Sequence, residues 1–299
     1  MGFEGSQRRR CVGGILVRAD EPSQSMIYAA RCRAAHQLLD RPLIFEDPVA
    51  VGLIPEASER AVLAAVDEQC APPSTLLRSL FAARSRFAEE RLAGAVLRGI
   101  RQYVVVGAGL DTFAWRQPSF ARNVRIFYVD HPRSLGWTTA QFRRRGLQTP
   151  PNLCFVAADL EAQELAARLA ERGFEREAGA FCSVLGVIQY LSCEAVQALL
   201  RFATSLPTQS EIVFSFVPPN DELEGEEITA AILSVKLTEI MGEPWVTRLR
   251  SSEAFDLLTR FGFGEVFHLT PKGVQRRYFA GRNDKLRAPC LEQLIAAIK

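Results

Sequence analysis

The chain has 299 residues, a formal net charge of +2 and 48% hydrophobic residues. This length suits one large α/β domain with additions, and the near-neutral charge argues against nucleic-acid binding, which usually needs a clustered basic surface. Seven cysteines form no Cys-x-x-Cys pair and there are three histidines, so we expect reduced thiols and no metal site. No apolar stretch is long enough to span a membrane, and we expect a cytoplasmic protein.

The first hundred residues predict helices and no strands. We expect residues 1–22 to form a flexible tail, because the apolar run after Arg8–Arg10 is short and no cleavage site follows it. Helical patterns over 24–40 and 75–99 then predict a helical cap, residues 23–100, in front of a core formed by residues 101–299.

From residue 101 the sequence alternates between strands and helices. Strands are predicted at 102–106, 125–130, 153–159, 178–185 and 210–217, with helices at 134–146, 161–173 and 193–205 between them. Continuous apolar strands separated by helices predict an α/β fold with a mostly parallel, doubly wound sheet.

The last part of the chain predicts helices followed by a hairpin. A helical insertion is expected at about 220–250, after the fifth strand, and a further helix at 251–260. The turn Thr270–Gly273 separates the runs 264–269 and 275–282, which predicts that these two runs form an antiparallel hairpin.

The end of the first predicted strand carries the sequence Gly107-Ala108-Gly109-Leu110-Asp111-Thr112. Glycines at the carboxyl end of a strand let a ligand approach the backbone closely. Asp130 ends the second predicted strand, where a carboxylate can accept hydrogen bonds from the ribose hydroxyls of an adenosine. These features alone suit NAD as well as S-adenosylmethionine.

Two further features separate these cofactors. Thr112 stands where the NAD fingerprint requires its third glycine. Asp159 and Leu160, at the end of the third predicted strand, can hold an adenine through a carboxylate and a backbone N–H. We therefore predict a methyltransferase that uses S-adenosylmethionine, with an NAD-type oxidoreductase and a non-catalytic S-adenosylmethionine binder as the alternatives.

The chain resembles the leucine carboxyl methyltransferase-like family, especially its bacterial branch, which includes polyketide O-methyltransferases. The resemblance covers nearly the whole chain after residue 20. It rests on Phe45-Glu46-Asp47-Pro48, Ala82-Ala83-Arg84-Ser85-Arg86, the Gly107–Thr112 turn, Val129-Asp130-His131-Pro132, Ala158-Asp159-Leu160, Gly186-Val187-Ile188-Gln189-Tyr190-Leu191, Gly242-Glu243-Pro244-Trp245 and Arg277-Tyr278-Phe279-Ala280. It implies a Rossmann-like, seven-stranded methyltransferase sheet with an antiparallel last strand, S-adenosylmethionine as the cofactor and S-adenosylhomocysteine as the product.

The resemblance also implies roles for single residues in cofactor binding. Arg84 would bind the methionyl carboxylate in the bidentate manner of a guanidinium. Gly107 would contact the amino end of the cofactor, with Ala108 and Gly109 beside it in the turn. Asp130 would hold the ribose, with His131 next to it, and Asp159 with Leu160 would hold the adenine.

Two positions of this predicted cofactor site stay open. Asp111 is a candidate cofactor contact, while a helix-capping role or a pair with Arg116 is an alternative for it. The leucine carboxyl methyltransferases have a glutamate after the fourth strand where this chain has Leu185. A role that depends on this acid does not carry over, although Leu185 stays within the predicted site.

The predicted acceptor site is formed by the helical additions. Tyr28 and Arg31 on the first helix, with Trp245 and Arg248 after the insertion, flank the strand ends, and Tyr190 follows the fourth strand. Tyr190 is the candidate for orienting a substrate oxygen.

The predicted acceptor chemistry follows from the lack of an evident general base. A carboxylate acceptor is already ionised at neutral pH, whereas a hydroxyl acceptor usually needs a base, for which His131 is the candidate; His36 and His268 are expected to have packing or structural roles. We expect a carboxylate, or else a hydroxyl, on a small molecule such as a polyketide or on a peptide C-terminus. The protein is expected to be a monomer or homodimer without nucleic-acid or membrane partners.

Overall fold

The computed structural model describes residues 23–54, 75–162, 164–284 and 286–299. The predicted tail, residues 1–22, lies outside the described residues. The α-helices in the described part are α1 (Gln24–Leu39), α2 (Pro48–Leu53), α3 (Thr75–Leu97), α4 (Phe113–Arg116), α5 (Pro132–Arg144), α6 (Leu165–Glu171), α7 (Cys193–Thr204), α8 (Glu226–Ile240), α9 (Ser251–Arg260) and α10 (Pro271–Val274). None of these described helices has the length and apolar character needed to cross a bilayer.

The described strands form one seven-stranded sheet in the order β3-β2-β1-β4-β5-β7-β6. They are β1 (Gln102–Val106), β2 (Arg125–Asp130), β3 (Leu153–Ala157), β4 (Phe181–Val184), β5 (Glu211–Phe216), β6 (Glu265–Leu269) and β7 (Gln293–Ile298). The first five strands pair in parallel, and β7 lies antiparallel between β5 and β6. The predicted Rossmann-like methyltransferase sheet is therefore confirmed.

Both faces of the sheet are buried, as the continuous apolar strands predict. Successive residues of β1 alternate between two hydrophobic clusters, because side chains along a strand point to opposite faces. Val104 and Val106 pack with residues of α6, α7 and α9 on one face, while Tyr103 and Val105 pack with residues of α3 on the other.

The first two helices of the helical cap each begin at an N-cap residue whose side chain accepts a backbone N–H. The Ser23 hydroxyl accepts from the Met26 N–H at the start of α1. Asp47 caps α2, where Pro48 occupies the first turn and needs no hydrogen-bond acceptor for its nitrogen. Helix α1 contacts both α2 and α3, so the three helices form one layer beside the sheet.

The predicted C-terminal hairpin is wrong in its second strand. The run 264–269 does form β6, but residues 275–282 do not pair with it: α10 is followed by a π-helical turn over Gln275–Phe279. Val274 and Tyr278 are buried four residues apart, which is a helical and not an alternating pattern. The antiparallel partner of β6 is β7, whose residues Gln293–Ala297 are all buried.

Candidate cofactor and acceptor site

The site is positioned by the carboxyl ends of the parallel strands. Strand β1 pairs with β2 on one side and with β4 on the other, so the chain direction across the sheet reverses between β1 and β4. Ligands of open α/β sheets bind in the crevice that such a reversal leaves. The structure therefore brings the predicted residues after β1, β2, β3 and β4 to one edge.

The turn after β1 has the conformation that its glycines allow. Gly107 has φ 67°, in the left-handed region where a Cβ is strained, and a side chain there would also overlap Val187. The Ala108 N–H donates to the Val129 carbonyl, 3.0 Å away, which ties the turn to β2. The turn thus presents backbone without side-chain cover at the end of β1.

Asp130, at the end of β2, is held by backbone donors. One carboxylate oxygen accepts from the Gly109 N–H and the other from the His131 N–H, each at 2.7 Å. Burial raises the pKa of this carboxyl, and the two N–H donors partly offset that rise. Each oxygen has a second lone pair, so the carboxylate can also accept the two ribose hydroxyls predicted for it.

The residues after β3 lie next to this carboxylate. Ala157 pairs with Asp130, and the Ala158 N–H donates to the Asp130 carbonyl at 3.0 Å. Asp159 follows, partly buried, with one carboxylate oxygen accepting from the Glu161 N–H at 3.0 Å, and Leu160 is also partly buried. The predicted ribose and adenine contacts are therefore neighbours.

Asp111 has a defined structural role in the turn. Its carboxylate accepts from the Phe113 N–H at 2.8 Å and from the Tyr128 hydroxyl. Arg116 pairs instead with Glu89 and Asp47. Of the two alternatives to cofactor contact, the structure shows a local capping contact, and a direct role of Asp111 toward the cofactor stays a prediction.

Arg84 reaches the end of β4 from helix α3. A Cβ placed on Gly186, whose φ is 69°, would lie 2.6 Å from Arg84 Nη1, so a larger residue there would displace the guanidinium from its present position. Leu185, where the resemblance would place a glutamate, is partly buried and packs against the cluster on the α3 face of the sheet. The predicted carboxylate-binding arginine therefore does lie at the crevice.

The start of α1 and the segment after α8, which carry predicted acceptor residues, meet beside Tyr190. The Tyr190 hydroxyl lies against Ser25 and Trp245, and burial raises the pKa of its phenol. Burial likewise raises the pKa of Tyr28, which lies beside Cys32 and Arg31. Both phenols therefore stay protonated across the neutral range and act as hydrogen-bond donors.

Two donors in this part of the site lack acceptors. Arg31 Nε and Trp245 Nε1 are buried, and neither makes a hydrogen bond of good geometry to a described residue, although Trp245 lies beside the Tyr190 hydroxyl. Buried N–H groups are nearly always paired in native proteins, so each of these two donors is a position where a ligand oxygen can bind.

Glu243 fastens the first helix to the segment that carries Trp245. Its two carboxylate oxygens accept from the Gln24 and Ser25 N–H groups, at 3.0 and 3.2 Å. The guanidinium of Arg248 donates to the Pro218 carbonyl and to Asn220, so this predicted acceptor contact is anchored to the chain after β5. A direct role for Arg248 toward the acceptor stays a prediction.

Comparison with known proteins agrees with this geometry. Residues 26–204 match the leucine carboxyl methyltransferase family. The chain belongs to this family. It is 28% identical over 304 residues to a Bacillus subtilis (strain 168) protein provisionally named the S-adenosyl-L-methionine-dependent methyltransferase YktD, a match that covers 95% of this chain and 100% of that protein. A similarly named protein of Mycobacterium ulcerans is 29% identical over 206 residues, which cover 65% of each chain.

Solved structures share the fold of this S-adenosylmethionine-dependent methyltransferase. A DUF574 family protein from Streptomyces avermitilis superposes with a TM-score of 0.59 at 17% identity, covering 90% of this chain and 96% of that one. A protein from Thermobifida fusca, provisionally named a methyltransferase, gives a TM-score of 0.56 at 18% identity, covering 95% and 97%. At these identities the likeness concerns the fold alone.

The methyltransferase contains a buried ionic cluster that the sequence did not reveal. Asp47, which is 1% exposed, accepts from the Thr112 hydroxyl at 2.7 Å and pairs with Arg33 and Arg116, each at 3.2 Å. This Asp47 cluster joins the helical cap to the turn after β1. The signal was present in the Phe-Glu-Asp-Pro and Trp-Arg sequences, but nothing in either one indicated that they would pair.

The histidines of the methyltransferase have structural contacts. The exposed His131 caps α5 by accepting from the Arg133 N–H at 3.3 Å. His36 is fully buried between Asp40 and the Ile44 N–H, and His268 binds Gln293 at 2.8 Å. The packing and structural roles expected for His36 and His268 agree with these contacts, and a catalytic role for His131 stays a prediction.

Proposed function

We propose that this methyltransferase methylates the oxygen of a carboxylate. The acceptor is a small-molecule acid, such as a polyketide or another secondary metabolite, or a peptide C-terminus. The observation that supports this most directly is that Arg31 Nε and Trp245 Nε1 are buried without a hydrogen bond of good geometry to any residue that the structure describes. A buried donor without an acceptor costs about 1–3 kcal/mol, and the oxygens of a carboxylate would relieve both.

The side chains around these donors suit an anion. The guanidinium of Arg31 carries a positive charge, and Tyr28 and Tyr190 stay protonated because burial raises the pKa of each phenol. The helical additions therefore carry four donors, on Tyr28, Arg31, Tyr190 and Trp245, and hydrogen bonds to an ionised group are about twice as strong as neutral ones.

The reaction needs little proton transfer when the acceptor is a carboxylate. S-adenosylmethionine, when bound, supplies an activated methyl group with a neutral leaving group. The task of the protein is then to hold the acceptor oxygen in line and to exclude water. Tyr190, whose hydroxyl lies against Ser25 and Trp245, would orient that oxygen, and Glu243 holds the start of α1 next to it.

The alkali stability of a labelled product tests whether the methylated group is a carboxylate or a hydroxyl. Purified protein is incubated with S-adenosylmethionine carrying a labelled methyl group and with a metabolite extract, and the products are treated with mild alkali. A methyl ester releases labelled methanol, whereas an ether on a hydroxyl acceptor keeps the label.

The expected result is an alkali-labile product whose formation falls in a Trp245→Phe variant. An alkali-stable product would contradict carboxylate methylation and favour the hydroxyl acceptor. Cofactor binding without any labelled product would favour a non-catalytic binder, and binding of NAD instead would favour the oxidoreductase.

We further infer a cytoplasmic enzyme that acts as a monomer or homodimer. The cysteines among the described residues, Cys32, Cys154, Cys182, Cys193 and Cys290, are free, which suits a reducing compartment. Light scattering on the eluting protein measures the oligomeric state, and a trimer or larger assembly would contradict the inference.

A further inference from the structure

A carboxylate that no motif indicated lies at the cofactor edge of the sheet. Glu292 directly precedes β7, and because β7 runs antiparallel to β5, its first residue Gln293 pairs with Phe216 at the carboxyl end of β5. The start of β7 therefore lies at the same edge as the ends of β1 to β5. Glu292 is 9% exposed, so its charge is largely removed from water.

Glu292 is paired with the arginine that reaches the crevice. Both of its carboxylate oxygens lie 3.1 Å from Arg84 Nη1, and Arg84 also stacks over the Phe81 ring at 4.3 Å. The same Nη1 would lie 2.6 Å from a Cβ on Gly186. The ion pair thus sits against the backbone at the end of β4, beside the reversal point of the sheet.

The pair leaves part of the guanidinium for another partner. Arg84 holds Glu292 through Nη1, while its Nε and Nη2 make no hydrogen bond to a described residue. A positive group with unused donors therefore lies next to a buried negative group. This arrangement is complementary to an α-amino acid zwitterion, whose carboxylate and ammonium are attached to one carbon atom.

We propose that Glu292 binds the α-ammonium of the cofactor's methionyl group while Arg84 binds its carboxylate. Leu185, beside Gly186, offers no charge at the end of β4, and Glu292 provides one from the start of β7, on the far side of β5. The inference rests on the proposed methyltransferase function only through its cofactor, and it is independent of the acceptor.

Equilibrium binding tests this role without any turnover. The affinities of wild type and Glu292→Gln for S-adenosylhomocysteine, and for its analogue with hydrogen in place of the α-amino group, are measured by isothermal titration calorimetry. We expect the variant to bind S-adenosylhomocysteine about tenfold or more weakly and to bind the deamino analogue within about twofold of wild type, because only the first ligand has the ammonium.

Each other outcome identifies a different failure. Equal weakening of both ligands would mean that Glu292 acts only by positioning Arg84, and no weakening would mean that it is not a contact; either result overturns the proposal. Failure of the wild type to bind S-adenosylhomocysteine would overturn the cofactor assignment itself. An alkali-stable methylated product would overturn the carboxylate acceptor and leave Glu292 unaffected.

The control variant is Glu265→Gln, an exposed glutamate at the start of β6, on the opposite edge of the sheet. It makes the same chemical change and should alter neither affinity. If Glu292→Gln unfolds at the assay temperature, Glu292→Asp keeps the charge on a shorter side chain, and we expect it to weaken S-adenosylhomocysteine more than the deamino analogue.

Discussion

The two sides of the site differ in how their polar groups are satisfied. On the sheet side, Asp130 and Asp159 already accept backbone N–H groups at 2.7–3.0 Å. On the side of the helical additions, Arg31 Nε and Trp245 Nε1 are buried without a hydrogen bond of good geometry within the described part of the chain. The two carboxylates of the sheet side are thus held by the backbone before any ligand binds, whereas these two donors of the helical side have no acceptor of good geometry among the described residues.

This difference separates a part of the site that suits a ligand shared by related enzymes from a part that suits a ligand differing between them. Carboxylates fixed by the backbone of the strand ends recognise a constant ligand with little loss of entropy on binding. Side chains on α1 and after α8 can change between relatives without disturbing the sheet, so they suit recognition of an acceptor that differs from one enzyme to the next.

The largest effect is expected where the two sides are joined, at Asp47. Asp47→Ala leaves Arg33 and Arg116 without this buried partner and should lower the free energy of unfolding by about 3–5 kcal/mol. Chemical denaturation measures this change. Glu46→Ala, an exposed neighbour, is the control, and a loss under about 1 kcal/mol for Asp47→Ala would show that the two sides are stable independently.

The next largest effect is expected on the sheet side. Asp130→Ala should weaken S-adenosylhomocysteine binding by about 1–3 kcal/mol, because the ribose hydroxyls lose their acceptor. Isothermal titration calorimetry measures the affinity, with the exposed Asp256→Ala as the control. An unchanged affinity would refute the ribose assignment. A loss of acceptor binding alone would mean that Asp130, on the sheet side, contacts the acceptor instead of the cofactor.

The sequence predicted the sheet side far better than the helical side. The strand ends follow from local patterns: β1 and β2 have the predicted bounds, and Gly107, Asp130 and Asp159 lie where parallel strands must bring them. The contacts of Asp47 with Thr112 and of Arg84 with Glu292 join residues 65 and 208 positions apart. No local pattern contains such pairings, because they depend on how the helices pack on the sheet.

The last strand, β7, is a second feature that the local sequence pattern did not predict. The end of β6 before Thr270 was predicted, but Pro271–Val274 form helix α10 instead of a hairpin turn, and helical turns follow because Val274 and Tyr278 bury one helical face. The real strand, β7, comes later, and its short apolar run contains no alternation that would separate it from a helix. Glu292 was missed because its strand was missed.

A smaller effect is expected on the helical side. Trp245→Phe removes the buried indole N–H proposed to donate to the acceptor and keeps most of the packing, so KM for a carboxylate acceptor should rise by roughly fivefold, about 1 kcal/mol, while cofactor affinity stays the same. Steady-state kinetics at saturating cofactor measures this change. Trp115→Phe is the matched control, since its indole N–H already donates to the Gln148 carbonyl. Equal KM values for both variants would remove Trp245 from the acceptor site.

The smallest expected effect is on the pH profile. A carboxylate acceptor has an ordinary pKa of about 4 and is ionised throughout the neutral range. Burial raises the pKa of Tyr190 above its ordinary value, so this phenol keeps its proton between about pH 6 and 9. The rate of methyl transfer at saturating cofactor should therefore be nearly constant over that interval. A rate that rises steadily with pH would indicate an acceptor hydroxyl that must lose its proton, and the protonated groups of the helical side would then serve to hold a neutral ligand instead of an anion.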